Sequence, residues 1–519
     1  MEKGSRATRL RPVFPSEGYP AWTTISTGVW PEDHGIIGDN FHDRSGTGGS
    51  NRNFERLNNR LTGFEHWWQN AEPIWVTAAN HKRSTALYLW SRCDVAYRKN
   101  RAAKCIPYDD AQSRDMSSLE QHLKPALTGF ERGEVDLAMV YNGHVEDVGV
   151  KFGPDSAQMQ QAVRNVDRIL GTLCRHIENT PSLNESLNLI VVGDHGMASL
   201  EKMKKVIVED EIPKSEVKFF VGRGGYMNIL PEVNRQDQVG GIRASGRRVT
   251  NARIEVTPDV FLQLLRLLKK LPGVEVMKKA EIPDRLHVKK SPLFLDVLVL
   301  ANQGRRLASL RCPEKKRLGW TFRSSTVESR LCDHRAEASE IFWVRNKRVG
   351  LWGREKSRSL ASKKTPKRKA FPFREEKLRA ASIIAPFSRS RFVVPGTYLT
   401  GVSDHRQIAR GPEVSAPTPG VYGYDPQFND MATIFFGLGP GFKAGEEVSD
   451  MEMVDVYAVV MHLLEMESPR KNMTTTDEEM GWQRIRPLLT NSACQIATTS
   501  SVLLTFLTAF LLGRGSPHH

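Results

Sequence analysis

Gly193-Asp194-His195-Gly196-Met197 sets a carboxylate and an imidazole side by side, directly after the apolar run Leu189-Ile190-Val191-Val192. An oxygen and a nitrogen donor on adjacent residues suit zinc or a related divalent ion. The branched run reads as a buried parallel strand, and in open α/β sheets chemistry gathers at the carboxyl ends of strands. Asp194 and His195 are therefore half of a metal site, whose other ligands must come from neighbouring strand ends. Residues 136–141 read as a second core strand.

These donors need a scaffold, and the periodicity supplies one. Met159, Val163, Val166, Ile169, Leu170, Leu173 and Ile177 recur at helical spacing, a stripe that packs on a core. Asp155 or Ser156 is placed to cap that helix, and Pro181 lies beyond its end. Residues 258–271 form a second, Leu-rich helix closed by Pro272-Gly273. Strands alternating with helices predict a parallel sheet covered on both faces. Residues 234–252 are polar, with Gly and Arg, and read as a loop or insertion.

Four segments in order resemble the nucleotide pyrophosphatase/phosphodiesterase family of the alkaline phosphatase superfamily. They are residues 11–20 with Ser26-Thr27-Gly28 and residues 31–37, then residues 145–154, residues 193–197, and residues 420–425 leading into 435–442. The resemblance implies an alkaline-phosphatase-like α/β fold, a mostly parallel sheet with helices on both faces. It also implies hydrolysis of phosphodiester or pyrophosphate bonds by two zinc ions and a Thr or Ser nucleophile. Two metals clamp the attacking and leaving oxygens of such a displacement, and an Asn amide supports the transition-state oxygens.

Carried over by position, the nucleophile falls on Gly18, which has no side chain to attack with. Asn40 is the candidate phosphate support. The second segment offers Glu146 where the family has a metal Asp, and Val150 where it has a His; the last segment has Tyr422 in place of a His. Glu146, or its neighbour Asp147, can still bind metal, whereas Val150 cannot; Asp194 and His195 match outright. The family's first metal Asp lies on a core strand upstream of the nucleophile, ahead of where this sequence begins. The resemblance thus implies an N-terminally incomplete chain with an unpaired sheet edge and zinc at partial occupancy at most. It favours a pseudoenzyme over a hydrolase working through a metal-activated water. Residues 14–20 are similar to the choline-specific glycerophosphodiesterase branch, so nucleotides and choline phosphodiesters are the substrate or ligand classes implied.

The 519 residues carry a net charge of +15, unevenly spread. Residues 301–410 hold 27 Lys+Arg against 9 Asp+Glu, which leaves the rest of the chain slightly acidic. That stretch reads as a basic, disordered insertion between residues 1–300 and 411–468, and translated non-coding sequence accounts for it best. With its Lys- and Arg-rich residues 363–369, it also supplies the alternative reading, a nucleic-acid-binding protein, although no readout module is visible. None of the six Cys forms a CxxC pair, which argues against a Cys-based zinc module. Cys93 and Cys105 form a disulfide or stay free thiols.

No apolar leader is visible at the start, whereas the family is extracellular or on the cell surface. Residues 469–519 read as a tail with an apolar stretch at 502–512, shorter than the roughly 20 residues a spanning helix needs. Small residues, a spacer and an apolar end fit a GPI-anchor signal; a short membrane anchor and a buried terminal helix are the other readings.

Overall fold

The computed structural model describes residues 3–44, 52–201, 203–208, 211–212, 216–222, 224–232, 258–308, 420–467, 475–490 and 501–507. All belong to one structural unit, formed by residues 1–344 and 416–519. Residues 234–252, expected to form a loop or insertion, and residues 363–369 lie outside the described residues, as does nearly all of the basic stretch.

Eight strands make the main sheet: Gly4–Arg11 (β1), Thr85–Trp90 (β2), Lys104–Pro107 (β3), Leu137–Asn142 (β4), Leu187–Val192 (β5), Thr433–Leu438 (β6), Glu447–Glu452 (β7) and Ser501–Leu507 (β8). Their order is β7-β1-β6-β5-β8-β4-β2-β3. Only β6 runs antiparallel to its neighbours. Every residue of β2, β4 and β5 is buried, as a sheet covered on both faces requires.

Five helices matter here: Gly18–Thr27 (α1), His144–Phe152 (α2), Ala157–Asn179 (α3), Pro258–Leu268 (α4) and Asp455–Leu463 (α5). On one face, Met159, Val166, Ile169, Leu173 and Ile177 of α3 join a core with Ala138, Val140 and Leu189. The hydroxyl of Ser156 accepts from the Met159 amide and caps that helix. On the other face, Trp22 and Ile25 of α1 and Val456 and Val460 of α5 share a core with Leu87, Met139 and Ile190.

Three expectations need correction. First, α4 does not serve the parallel sheet. Leu264, Leu265 and Leu268 share a core with Ile229, Val276 and Val299 of a separate antiparallel sheet, built from Val217–Val221, Tyr226–Pro231, Val297–Ala301 and Val274–Lys278. Leu-rich periodicity reports a buried helix face but not which sheet buries it. Second, the basic stretch does not begin at 301: Ala301 ends a strand, and Arg305–Ala308 pairs with Lys204–Ile207.

Third, residues 469–519 are more than a tail. Thr475–Ile485 is helical, and β8 is a strand, not a terminal helix. It lies between β4 and β5, with Leu503 opposite both Ala138 and Leu189. The unpaired edge expected from a missing strand is therefore absent there, because β8 satisfies the facing backbone groups of both neighbours. Val502, Leu503 and Leu504 are buried, and each contributes roughly 1.5–3 kcal/mol of burial. Cys93 and Cys105 form a disulfide with Cα atoms 5.8 Å apart, tying the loop after β2 to edge strand β3.

Candidate functional site

Helix α1 begins at Gly18, and all ten of its residues are buried. Its hydroxyls can sit there because they bond back along the helix: Thr23 to the Tyr19 carbonyl, Ser26 to that of Trp22 and Thr27 to that of Thr23. Gly28 ends it in the left-handed region, at φ 70°. A helix N-terminus attracts anions, and here one is supplied from within the chain: Asp39 Oδ1 accepts from the Tyr19 amide at 2.8 Å.

Position 18 is closed as well as bare. A Cβ there would lie 2.8 Å from Trp22 Cζ2 and 3.2 Å from two more indole carbons. The indole is held along that same edge, where Trp22 Nε1, next to Cε2, donates to Asp194 Oδ2 at 3.0 Å.

Asp194 and His195 stand at the end of β5, where the sequence placed them, and both are fully buried. Asp194 Oδ1 accepts from the His195 amide. His195 Nδ1 faces the Gly196 carbonyl at 2.8 Å, so that nitrogen carries the proton. Nε2 is left as an acceptor with no hydrogen-bond partner. Burial raises the Asp194 carboxyl above the usual range.

Arg56 is the residue that spacing did not reveal. It follows a hairpin of Asn40–His42 against Asn53–Glu55, and its amide donates to the Asp39 carbonyl and to Asn40 Oδ1. The candidate phosphate support thus bonds to the backbone that positions Arg56. The guanidinium reaches Glu146 at two points: Nη1 to Oε1 and Nη2 to Oε2, each 2.9 Å. Nη1 also donates to Asp39 Oδ2 at 2.9 Å and to the Tyr422 hydroxyl at 3.3 Å. The side chains of Arg56, Asp39 and Glu146 are 7%, 2% and 8% exposed. Burial works to raise the Glu146 carboxyl, but Arg56, with Arg114, overcomes it and brings it down to about 2.

Two contacts join this ion-pair cluster to Asp194 and His195. Trp22 lies under the guanidinium, 5.5 Å from its ring centroid, while bonding Asp194. The Tyr422 ring centroid is 4.3 Å from that of His195. Asp147, the alternative donor, turns away to Arg114 and Lys151. Glu17, next to Gly18, accepts from the Asp39 amide and the Tyr226 hydroxyl. Its burial, with Asp39 close by, pushes its carboxyl up to about 8.

The donor set does not fit a pair of zinc ions. A closed zinc site takes four ligands, and among the described residues no three His, Cys, Asp or Glu side chains converge for one ion. Both Glu146 oxygens are bound to Arg56, and both Asp194 oxygens accept N–H donors. What remains suited to a metal is His195 Nε2.

The sequence model of the type I phosphodiesterase / nucleotide pyrophosphatase family matches residues 1–322. Human ectonucleotide pyrophosphatase/phosphodiesterase family member 5 is 23% identical over 312 residues, covering 59% of this chain and 56% of that protein. Mouse family member 7 is 28% identical over 311 residues, 58% of this chain and 64% of that protein. The chain thus matches less than two thirds of the length of these curated relatives. The solved structure of human ectonucleotide pyrophosphatase/phosphodiesterase 5 superposes with a TM-score of 0.61 at 18% identity, covering 95% of this chain and 92% of that one. An inactive murine form of the same protein, solved in complex with AMP, gives 0.60 at 18% identity, with 94% and 92% covered. At that identity the likeness shows the fold.

Proposed function

This chain belongs to the type I phosphodiesterase / nucleotide pyrophosphatase family, and we propose that within it the chain is a pseudoenzyme, one that does not cleave phosphodiester or pyrophosphate bonds. The observation that carries this reading is the closure of the attacking position. Gly18 offers no hydroxyl, and Trp22 fills the space a side chain would take. The chemistry of a two-metal displacement needs a nucleophile on one cation and a leaving oxygen on the other. Here Glu146 and Asp39 are engaged by Arg56 and Asp194 by two N–H donors, and zinc at more than partial occupancy has no donor set to hold it.

Of the ligand classes the sequence implies, nucleotides and choline phosphodiesters, the first has support from a relative: a murine family member was solved with AMP. A phosphate of such a ligand would reach the α1 N-terminus only by displacing Asp39 from the Tyr19 amide. The Cys93–Cys105 disulfide favours an extracellular or cell-surface setting, where such bonds persist. Membrane attachment through the C-terminal apolar stretch finds less support: none of the described helices is long and apolar enough to cross a membrane. β8 is also built into the sheet. The nucleic-acid reading rests on residues outside those described.

The test is hydrolysis of p-nitrophenyl thymidine monophosphate and p-nitrophenyl phosphorylcholine by folded full-length chain, with added zinc and with chelator. No turnover in either condition is expected. Zinc-dependent turnover would overturn the reading.

A further inference from the structure

We propose that Arg56 is the resident cation of this site: its guanidinium does the charge-compensating work of a divalent ion between Asp39 and Glu146, next to Asp194 and His195, and excludes such an ion while it is there. The proposal rests on the reading of a non-hydrolysing site and extends it to what took the metal's place.

The physical need is plain. Asp39, Glu146 and Asp194 are all buried within one connected cluster, and buried carboxylates require a cation or protons. Arg56 meets the need for two of them directly. It bonds both oxygens of Glu146 and one of Asp39, in the two-point geometry that a planar guanidinium favours. Its charge also lies over the face of Trp22, whose indole N–H serves the third carboxylate, Asp194.

A second observation is independent of the carboxylates. His195 Nε2, fully buried, has no hydrogen-bond partner and lies 3.9 Å from Asp194 Oδ2, while Nδ1–H is held by the Gly196 carbonyl. A carbonyl bond at one ring nitrogen that leaves the other bare is the arrangement found in metal-binding histidines. The ring packs against Tyr422, whose hydroxyl bonds Arg56. The guanidinium has no lone pair and cannot satisfy that nitrogen as a metal would.

Removing the guanidinium should therefore let a divalent cation in where Arg56 now sits. Arg56→Ser releases both Glu146 oxygens and Asp39 Oδ2, which with His195 Nε2 are the donors on offer; Asp194 stays bonded to Trp22 and the His195 amide. The probe is zinc alone, titrated calorimetrically into full-length parent and variant and followed by thermal unfolding with zinc or chelator. The expected result is about one zinc per Arg56→Ser chain, a melting temperature raised by zinc, and no stoichiometric binding by the parent. Adding Glu146→Gln to the variant should abolish the gain, which separates this site from surface histidines.

A variant recovered folded only with zinc in the buffer would also support the proposal. Zinc bound by the parent at this cluster, a folded Arg56→Ser chain that binds none, or a variant unfolded with and without zinc would each overturn it. The readout is binding rather than turnover. Hydrolysis by the parent would defeat the pseudoenzyme reading separately, and a failed zinc gain would leave that reading standing.

Discussion

Arg56 and Glu146 meet at two points, each 2.9 Å, in surroundings that leave their side chains 7% and 8% exposed. Removing one partner from a buried pair strands the other charge, which costs about 3–5 kcal/mol. Glu146→Gln should therefore destabilise the chain by that order, read as a lower urea midpoint. Arg56→Met with Glu146→Leu and Asp39→Asn should lose less, because no charge of the three is left alone. Equal losses for the single and the triple substitution would contradict the role of Arg56 as their shared partner.

Gly18→Ser should not create a nucleophile. The new Cβ would press on the Trp22 indole at 2.8 Å, an overpacking that costs roughly 1–3 kcal/mol. The variant should melt lower and remain without hydrolytic activity in the presence of zinc. Turnover by this single variant would mean that Trp22 yields and that the cations needed are already in place.

Acidity should act on the site in two opposed windows. The Glu17 carboxyl is raised from 4.5 to about 8, so the folded chain holds its proton more tightly than the unfolded chain. Its contribution is present in full below about pH 4.5 and is lost as pH rises through about 8, by at most about 1.4 kcal/mol per pH unit. Glu146, lowered to about 2, behaves the other way: its contribution is full above about pH 4.5 and is lost as pH falls through about 2. Urea midpoints measured from pH 5 to 9 should decline less in Glu17→Gln than in the parent. Parallel profiles would contradict the shift.

The C-terminal strand can be tested by one residue. Leu504 is 1% exposed and sits opposite Met139 and Ile190 in the two neighbouring strands. Leu504→Ala should cost about 2–5 kcal/mol, the range for buried leucines, and deletion of residues 491–519 should abolish soluble folding. A truncated chain as stable as the parent would place this segment outside the core.

What was legible in the sequence follows from how each signal arises. The α3 stripe and the strands before Glu146 and Asp194 were readable because long periodic or apolar runs carry their own pattern, and the Asp194-His195 pair came with its strand. The role of residues 501–507 was not, since a short apolar run does not say whether it is strand, helix or anchor. Only its neighbours β4 and β5, more than 300 residues away in sequence, decide it. Arg56 was missed because one Arg in a polar stretch looks solvated. The Asn53-Phe54-Glu55 alternation before it was the one available hint, as Phe54 is buried and strand pairing to Asn40–His42 turns Arg56 inward. Gly18 was visible as a missing hydroxyl, but the closure of its site by Trp22, four residues on, needed the helix to be built.

The most direct test of the account is zinc stoichiometry of the folded full-length chain after equilibration with excess zinc and removal of loosely held metal. With Arg56 occupying the centre of the carboxylate cluster, well under one zinc per chain should remain, and chelator should leave the melting temperature unchanged. One or two tightly held zinc ions per chain, with melting lowered by chelator, would contradict it.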